Sequence, residues 1–162
     1  MRVAIDTCAL LDLLAGDLRA RAAARDALLG ASARGALVIS SVVLAELMAA
    51  FESREELMAF VDSLELEVEE PAEEALWLAS RAWRAYLADR GQKIQCSCGH
   101  RFEVTCPGCG HMMSLRGHIL TDFLVRAHAK AQADMLLTRD KRLWSYFPDL
   151  QVWDYTSGRT SP

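Results

Sequence analysis

Short apolar runs alternate along this chain with longer stretches in which alanine and leucine recur at helical spacing. The short runs are rich in aliphatic residues and bounded by polar ones, which predicts buried strands. They occupy residues 2–6, 36–39, 64–68, 135–138 and 150–153. Strands that alternate with helices predict a mostly parallel sheet with helices on both faces. We therefore expect an α/β fold with a sheet of about five strands.

The helical stretches between these runs carry recognisable start signals and apolar faces. Ser40 is a favourable N-cap residue, and Pro71 suits the first turn of a helix. The helix that follows Pro71 has an apolar face, which we expect to be buried, formed by Leu76, Ala79, Trp83, Tyr86 and Leu87. The predicted helices cover residues 8–17, 17–33, 42–51, 54–64, 72–90, 118–132 and 140–147.

One segment, residues 93–113, interrupts this pattern with clustered cysteines. Cys96 and Cys98 are followed by one glycine and Cys106 and Cys109 by another, with a β-prone run between the two turns. This arrangement resembles a zinc ribbon, so these four cysteines are predicted to bind a structural Zn²⁺. The first turn has one residue between its cysteines instead of two, which leaves open whether a histidine replaces a thiolate. Redox cycling of a cysteine pair is the rival interpretation.

Composition narrows the class of protein. The chain has 162 residues, 52% of them hydrophobic and 25% charged, which fits one soluble globular domain with a small insertion. No apolar run reaches the roughly 18 residues of a membrane span. Clustered cysteines fit a reducing compartment with a metal site better than a secreted disulfide scaffold. We expect a cytoplasmic protein that does not contact a membrane, with a disordered tail at residues 157–162.

The charge of the chain is unevenly distributed. A net charge of −4 does not by itself indicate a nucleic-acid-binding protein. Residues 1–90 hold nine basic and sixteen acidic residues, whereas residues 91–162 hold nine basic and six acidic ones. Any contact with a polyanion is therefore expected on the second half of the chain.

Four acids stand in unusually apolar surroundings. Asp6 ends one predicted strand and Asp140 follows another by two residues, whereas Glu46 and Asp122 are flanked by apolar residues. Any one of them could be an ordinary cap or helix-surface acid, as Asp12 is expected to be. Parallel strands bring their carboxyl ends to one edge of the sheet, where ligands bind. Carboxylates gathered there repel unless a cation lies between them, and their hard oxygens suit Mg²⁺ or Mn²⁺.

The stretches RVAIDTCALLDLL, SSVVLAELMAAF and TDFLVRAHAKAQADMLLTRDKRLWSYFPDLQVW resemble a PIN domain of the VapC toxin type. The resemblance covers residues 1–90 and 114–155. It implies a discontinuous nuclease domain at residues 1–92 and 114–156, with the zinc ribbon as an insertion. It also implies that the same four acids, Asp6, Glu46, Asp122 and Asp140, bind the catalytic Mg²⁺ or Mn²⁺. Small hydroxyl residues near the metal correspond to Thr7, Ser40 and Thr138.

The function that this resemblance implies is metal-dependent hydrolysis of RNA phosphodiesters by an endoribonuclease. The favoured role is the toxin of a VapBC-type pair, a homodimer held inactive by a small antitoxin protein. An rRNA- or tRNA-processing nuclease without an antitoxin, and a non-catalytic RNA- or protein-binding PIN module, remain open alternatives. The zinc ribbon is a candidate clamp that helps to choose the RNA.

Basic residues near the acids are candidate phosphate contacts, although a solvated helix face would have the same composition. Cys8 is interpreted as a buried packing residue and His128 as a packing or surface residue, neither of them as nucleophile or ligand. The candidate phosphate contacts are Arg116, Arg126, Arg139 and Lys141.

Overall fold

The structure is a computed structural model that describes residues 1–90, 94–95, 101–113, 119–140, 142–157 and 159–161. Its strands are, in chain order, β1 (Arg2–Ile5), β2 (Ala36–Ser40), β3 (Leu66–Glu69), β4 (Ile94–Gln95), β5 (Arg101–Phe102), β6 (Val104–Thr105), β7 (Met112–Met113), β8 (Met135–Thr138), β9 (Val152–Asp154) and β10 (Arg159–Ser161). Its helices are α1 (Thr7–Ala15), α2 (Leu18–Ser32), α3 (Ser41–Met48), α4 (Arg54–Ser63), α5 (Glu73–Arg90) and α6 (Leu120–Gln132), followed by a short 3₁₀ turn at Trp144–Tyr146.

The main sheet has six strands in the order β10-β9-β8-β1-β2-β3. The five strands from β9 to β3 run parallel, and each lies on or beside an apolar run of the sequence, which confirms the predicted sheet. The sixth strand, β10, pairs antiparallel with β9 at the edge. The expectation of a disordered tail is therefore wrong for residues 159–161. The sequence of this strand is polar and carries no apolar strand pattern. The strand forms through backbone pairing with the edge of β9, which does not depend on apolar side chains.

Alanine determines which face of α5 is buried. Ala75, Ala79 and Tyr86 are buried, whereas the side chains of Leu76 and Leu87 remain about half exposed. The predicted apolar face is therefore confirmed at Ala79 and Tyr86 and wrong at the two leucines. Small residues let α6 approach α5 closely, and large residues at such positions would hold the two helices apart.

Aromatic rings fasten α5 and α6 together. The ring of Phe123 in α6 lies 5.3 Å from that of Trp83 and 5.4 Å from that of Tyr86. The rings of Tyr146 and Phe147, which follow β8 in sequence, lie 6.0 and 6.1 Å from that of Phe123. Edge-to-face and tilted contacts of this kind add to the burial of the rings themselves. The position of α6, which follows the inserted segment, is thereby set by the core.

The topology brings three chain segments to one edge of the sheet. Asp6 immediately follows β1 and precedes α1, Ser40 ends β2, and Thr138 ends β8. These strands are parallel neighbours, so their carboxyl ends meet at the same edge. Within the described ranges, no helix is long and apolar enough to cross a membrane.

Candidate active site

Four acids that are distant in sequence line one cavity of about 530 Å³ at this edge of the sheet. Asp6 comes from the end of β1, Glu46 from α3, Asp122 from the first turn of α6, and Asp140 from the loop after β8. The structure thus brings together all four acids that the sequence predicted. The other residues that line the cavity are Thr7, Cys8, Leu11, Arg126, Arg139 and Arg142.

Two hydroxyl groups orient the carboxylates of this cavity. The Thr138 hydroxyl is buried at the end of β8 and donates to Asp6 Oδ2 at 2.5 Å. The same oxygen of Thr138 accepts the backbone N–H of Asp140 at 3.0 Å, so it joins the two acid-bearing segments. The Thr7 hydroxyl donates to Glu46 Oε2 across the cavity. These contacts give Thr7 and Thr138 a place beside the acids.

The side chains of Ser40 and Asp122 each accept a backbone hydrogen bond at the start of a helix. Ser40 is buried and its Oγ accepts the Val43 N–H at 3.3 Å, so its hydroxyl caps α3 and does not line the cavity. The Asp122 carboxylate accepts the Ile119 N–H at 2.8 Å and so closes the start of α6. A carboxylate in the first turn of a helix is also favoured by the helix dipole.

Asp140 is held by two arginines. Arg126, 2% exposed, places Nη2 2.9 Å from Asp140 Oδ2, and Arg142 forms a two-pronged pair with both carboxylate oxygens. Burial alone would raise the pKa of Asp140, but the hydrogen bonds from Arg142 and the charge of Arg126 outweigh it. The pKa of Asp140 is therefore well below its usual range, and the carboxylate is ionised at neutral pH.

The basic residues near the acids do not share one role. Arg126 is buried against Asp140. Both interpretations of it, a solvated helix residue and an accessible phosphate contact, are therefore wrong. Arg139 is half exposed at the cavity and pairs with Asp12 at 3.2 Å. Arg116 and Lys141 lie outside the described residues. Of the four candidates, Arg139 alone is placed here at the cavity with an accessible side chain.

Asp12 is a functional candidate that the sequence reasoning missed. It is buried, its Oδ2 accepts the Tyr155 hydroxyl at 2.6 Å, and its Oδ1 holds Arg139. The expectation of a solvated acid is therefore wrong. Leucine flanks Asp12 on both sides in the sequence, the same signal that singled out Glu46. Asp12 thus positions Arg139 at the rim of the cavity.

Neither Cys8 nor His128 is poised for catalysis. Burial, with the nearby charge of Asp6, raises the pKa of Cys8 to about 11, so its thiol stays protonated. The Cys8 Sγ lies 3.5 Å from the Thr138 hydroxyl. His128 is buried, its Nε2 lies 3.2 Å from Glu69 Oε2, and burial lowers its pKa. It does not line the cavity, and its burial decides for packing over the surface position that the sequence also allowed.

The donor chemistry of the cavity suits a hard divalent cation. Four carboxylates face three arginines there, and carboxylate oxygen is the ligand that Mg²⁺ and Mn²⁺ prefer. As the side chains stand, no group of three or more His, Cys, Asp or Glu residues in the described part of the chain is arranged to hold a metal. The residue types fit a divalent cation. The two arginines on Asp140 contact carboxylate oxygens that such a cation would use as ligands.

Only half of the predicted zinc site can be described. Cys106 and Cys109 lie on the turn between β6 and β7, both as free thiols, and Cys96 and Cys98 fall outside the described residues. The turn is closed by Gly110, whose φ of 70° favours glycine and whose N–H donates to the Cys106 carbonyl at 2.8 Å. Hydrogen bonds from the backbone of Gly108 and Cys109 lower the pKa of the Cys106 thiol, which favours the thiolate that binds metals.

Comparison with known proteins bears on the fold and the family. Residues 3–147 match the family model described as the PIN domain. The sequence matches no curated protein significantly.

Among solved structures, the chain is similar to VapBC2 from Rickettsia felis bound to a promoter DNA fragment, at 17% identity and a TM-score of 0.59, with 94% of this chain and 97% of that chain covered. It is similar to VapBC-1 from nontypeable Haemophilus influenzae at 18% identity and a TM-score of 0.62, with 96% and 99% covered. It is similar to DNA-bound VapBC from Salmonella typhimurium at 20% identity and a TM-score of 0.57, with 96% and 98% covered. At these identities the likeness shows the fold alone.

The buried ion pair predicts that two substitutions in the same cavity differ in their effect on stability. Asp140→Asn should lower the free energy of unfolding by on the order of 3 kcal/mol, because the buried Arg126 charge loses its partner. Asp6→Asn is the matched control. It should leave stability unchanged or slightly raised, because its amide oxygen can still accept from Thr138 and repulsion among the acids is relieved. Equilibrium urea unfolding measures both, and equal stability of the two variants would contradict this account of Asp140.

Proposed function

This chain belongs to the PIN domain family, and we propose that it is a divalent-metal-dependent endoribonuclease of the VapC toxin type. PIN domains are generally nucleases. The observation that carries the proposal is the convergence of Asp6, Glu46, Asp122 and Asp140 on one cavity. These are the four acids that the family resemblance assigns to the metal.

The proposed mechanism divides the work between a bound cation and the chain. Bound Mg²⁺ or Mn²⁺ would neutralise phosphate charge and lower the pKa of water at the four carboxylates. The Thr138 and Thr7 hydroxyls keep the carboxylates of Asp6 and Glu46 in fixed orientations. The start of α6 does the same for Asp122 through the Ile119 N–H. Such preorganisation matters because misplaced groups lose much of their catalytic effect.

RNA is the proposed substrate, and Arg139 is the proposed phosphate contact at the rim of the cavity. Its guanidinium is half exposed, and Asp12 fixes the direction in which it points. A contact of this kind binds the backbone and carries no sequence information. Selectivity among RNAs would therefore come from surfaces other than the four acids. The inserted segment is the proposed contributor.

A small antitoxin is the proposed protein partner, and a homodimer is the proposed state of the chain. The support is the likeness of the fold to three VapBC complexes, two of which are described as bound to DNA. A cytoplasmic location is proposed on the same grounds.

A structural zinc ion is proposed for the inserted segment. The support is the pair of thiols on the β6–β7 turn, the backbone donors that favour the Cys106 thiolate, and the second cysteine pair in the sequence. Four thiolates closed around zinc would leave no open position, so the proposed role is to hold the segment together.

The nuclease proposal predicts cleavage that depends on Asp6. The purified chain should cleave RNA with Mg²⁺ or Mn²⁺, and EDTA should stop the reaction. Asp6→Asn should slow cleavage by on the order of 100-fold, because a ligand charge is lost while the shape is kept. Asp26→Asn is the control, since Asp26 is an exposed acid of α2 outside the cavity. If Asp6→Asn cleaves as fast as Asp26→Asn, the proposed site is wrong.

The toxin role predicts that expression of the chain by itself arrests growth of a bacterial host. Asp6→Asn should restore growth and Asp26→Asn should not, because the arrest would come from cleavage of cellular RNA. Growth curves after induction measure this. Normal growth with a chain that cleaves RNA in vitro would favour the RNA-processing alternative.

The zinc proposal predicts about one zinc ion per purified chain. Changing Cys106 and Cys109 to Ser should remove the zinc ion. Cys8→Ser is the control and should retain the ion, because Cys8 lies outside the cysteine cluster. Cleavage of a short unstructured RNA should persist in the double variant, because the four acids lie in the other part of the chain. Metal analysis of protein prepared reduced and without chelator measures the zinc. A parent chain without zinc, or a double variant that keeps it, would contradict the assignment.

A further inference from the structure

Both oxygens of the Asp140 carboxylate are engaged by arginine in the arrangement that the structure shows. Its Oδ1 accepts the backbone N–H of Arg142 at 3.0 Å and Nε of the same residue at 2.8 Å. Its Oδ2 accepts Nη2 of Arg142 at 3.1 Å and forms an ion pair with Nη2 of Arg126 at 2.9 Å. An ionised carboxylate offers about four lone-pair positions. Three N–H groups of Arg142 take three of them, and the Arg126 guanidinium lies against Oδ2.

The two arginines differ in how firmly they are held. Arg126 is 2% exposed, and its guanidinium also donates to the backbone carbonyls of Asp122 at 3.0 Å and Asp140 at 3.3 Å. The Arg142 side chain is 61% exposed. Ion pairs with such an exposed partner are weak, because water competes for the charges, whereas breaking a buried pair leaves a charge uncompensated. A cation that needs an oxygen of Asp140 would therefore displace Arg142 and leave Arg126 in place.

We propose that Arg142 is a displaceable counter-ion that competes with the divalent cation for Asp140. The proposal rests on the proposed function, in that the cavity holds such a cation. Arg142 occupies the carboxylate when the metal is absent and leaves it when the metal binds. Because Arg142 lines the same cavity, its freed guanidinium remains beside the acids, where a phosphate of the RNA would lie. It is a positioning residue whose release couples metal binding to phosphate binding.

The competition has a direct consequence for metal affinity. Without the Arg142 guanidinium, the cation no longer has to displace it, so metal binding tightens. Removing any positive charge from the cavity also tightens cation binding somewhat. Arg139 provides the matched control, because it lines the same cavity and carries the same charge but pairs with Asp12.

The first test is calorimetric titration of the RNA-free protein with Mn²⁺. Arg142→Gln should bind Mn²⁺ about tenfold more tightly than the parent, which corresponds to about 1.4 kcal/mol of binding free energy. Arg139→Gln should change the affinity by about twofold or less, the generic effect of one lost charge at partial exposure. Arg142→Lys should fall between the parent and Arg142→Gln, because one ammonium group does not reproduce the two-pronged guanidinium contact. Asp6→Asn should lose most of the binding.

The outcomes separate this proposal from the nuclease proposal. If the parent binds Mn²⁺ and Asp6→Asn does not, but Arg142→Gln binds no more tightly than Arg139→Gln, the role of Arg142 is overturned and the metal site stands. If no variant binds Mn²⁺, both proposals are overturned. Thermal melting without metal checks the fold of each variant. Should Arg142→Gln not fold, Arg142→Lys decides, and affinity equal to the parent's overturns the proposal.

A second readout follows Arg142 itself in the unmodified chain. In ¹⁵N NMR spectra, the Nε–H signals of Arg142 and Arg126 should both be observable without metal, because both groups are held in place. Saturation with Mg²⁺ should shift the Arg142 signal and speed its exchange with water, while the Arg126 signal stays protected. An Arg142 signal that is unchanged at saturating Mg²⁺ would overturn displacement.

Discussion

Repulsion among carboxylates at one edge of a parallel sheet is the constraint on which this site depends. Asp6, Glu46, Asp122 and Asp140 line one cavity, and each additional negative charge there makes the next less favourable. The fold offsets this repulsion with the two arginines on Asp140, threonine hydroxyls on two other acids, and the start of α6 for Asp122. A divalent cation would serve the same purpose, so a bound metal would compete with the arginine side chains for the same carboxylate oxygens.

The helix α6 links this charge balance to the rest of the molecule. Its first turn carries Asp122, and its next turn carries Arg126, whose guanidinium reaches across to Asp140. Phe123, between them, packs against Trp83 and Tyr86 of α5. Core packing of α6 therefore helps to set where the buried Arg126 guanidinium meets Asp140. In sequence, the inserted segment lies between the end of α5 and the start of α6.

The strands and the four acids could be predicted because local patterns encode them. Buried strands are apolar runs, parallel strands end at one edge, and an acid at such an end stands out in its surroundings. The pairings could not be predicted, since Arg126 and Asp140 are 14 residues apart, and Tyr155 and Asp12 are 143 residues apart. Which side chains meet over such separations depends on packing, which also decided that alanines and not Leu76 are buried in α5. The zinc site stays a prediction for all four cysteines, of which Cys96 and Cys98 lie outside the described residues.

Anomalous diffraction from crystals grown with Mn²⁺ tests the central claim, that the carboxylate cavity is a cation site which Arg142 guards. The account predicts an anomalous peak among the four acids, with Asp140 as a ligand, Arg126 in place and the Arg142 guanidinium moved off the carboxylate. A cavity without anomalous density at saturating Mn²⁺, or a bound ion with Arg142 still on both oxygens of Asp140, would contradict it.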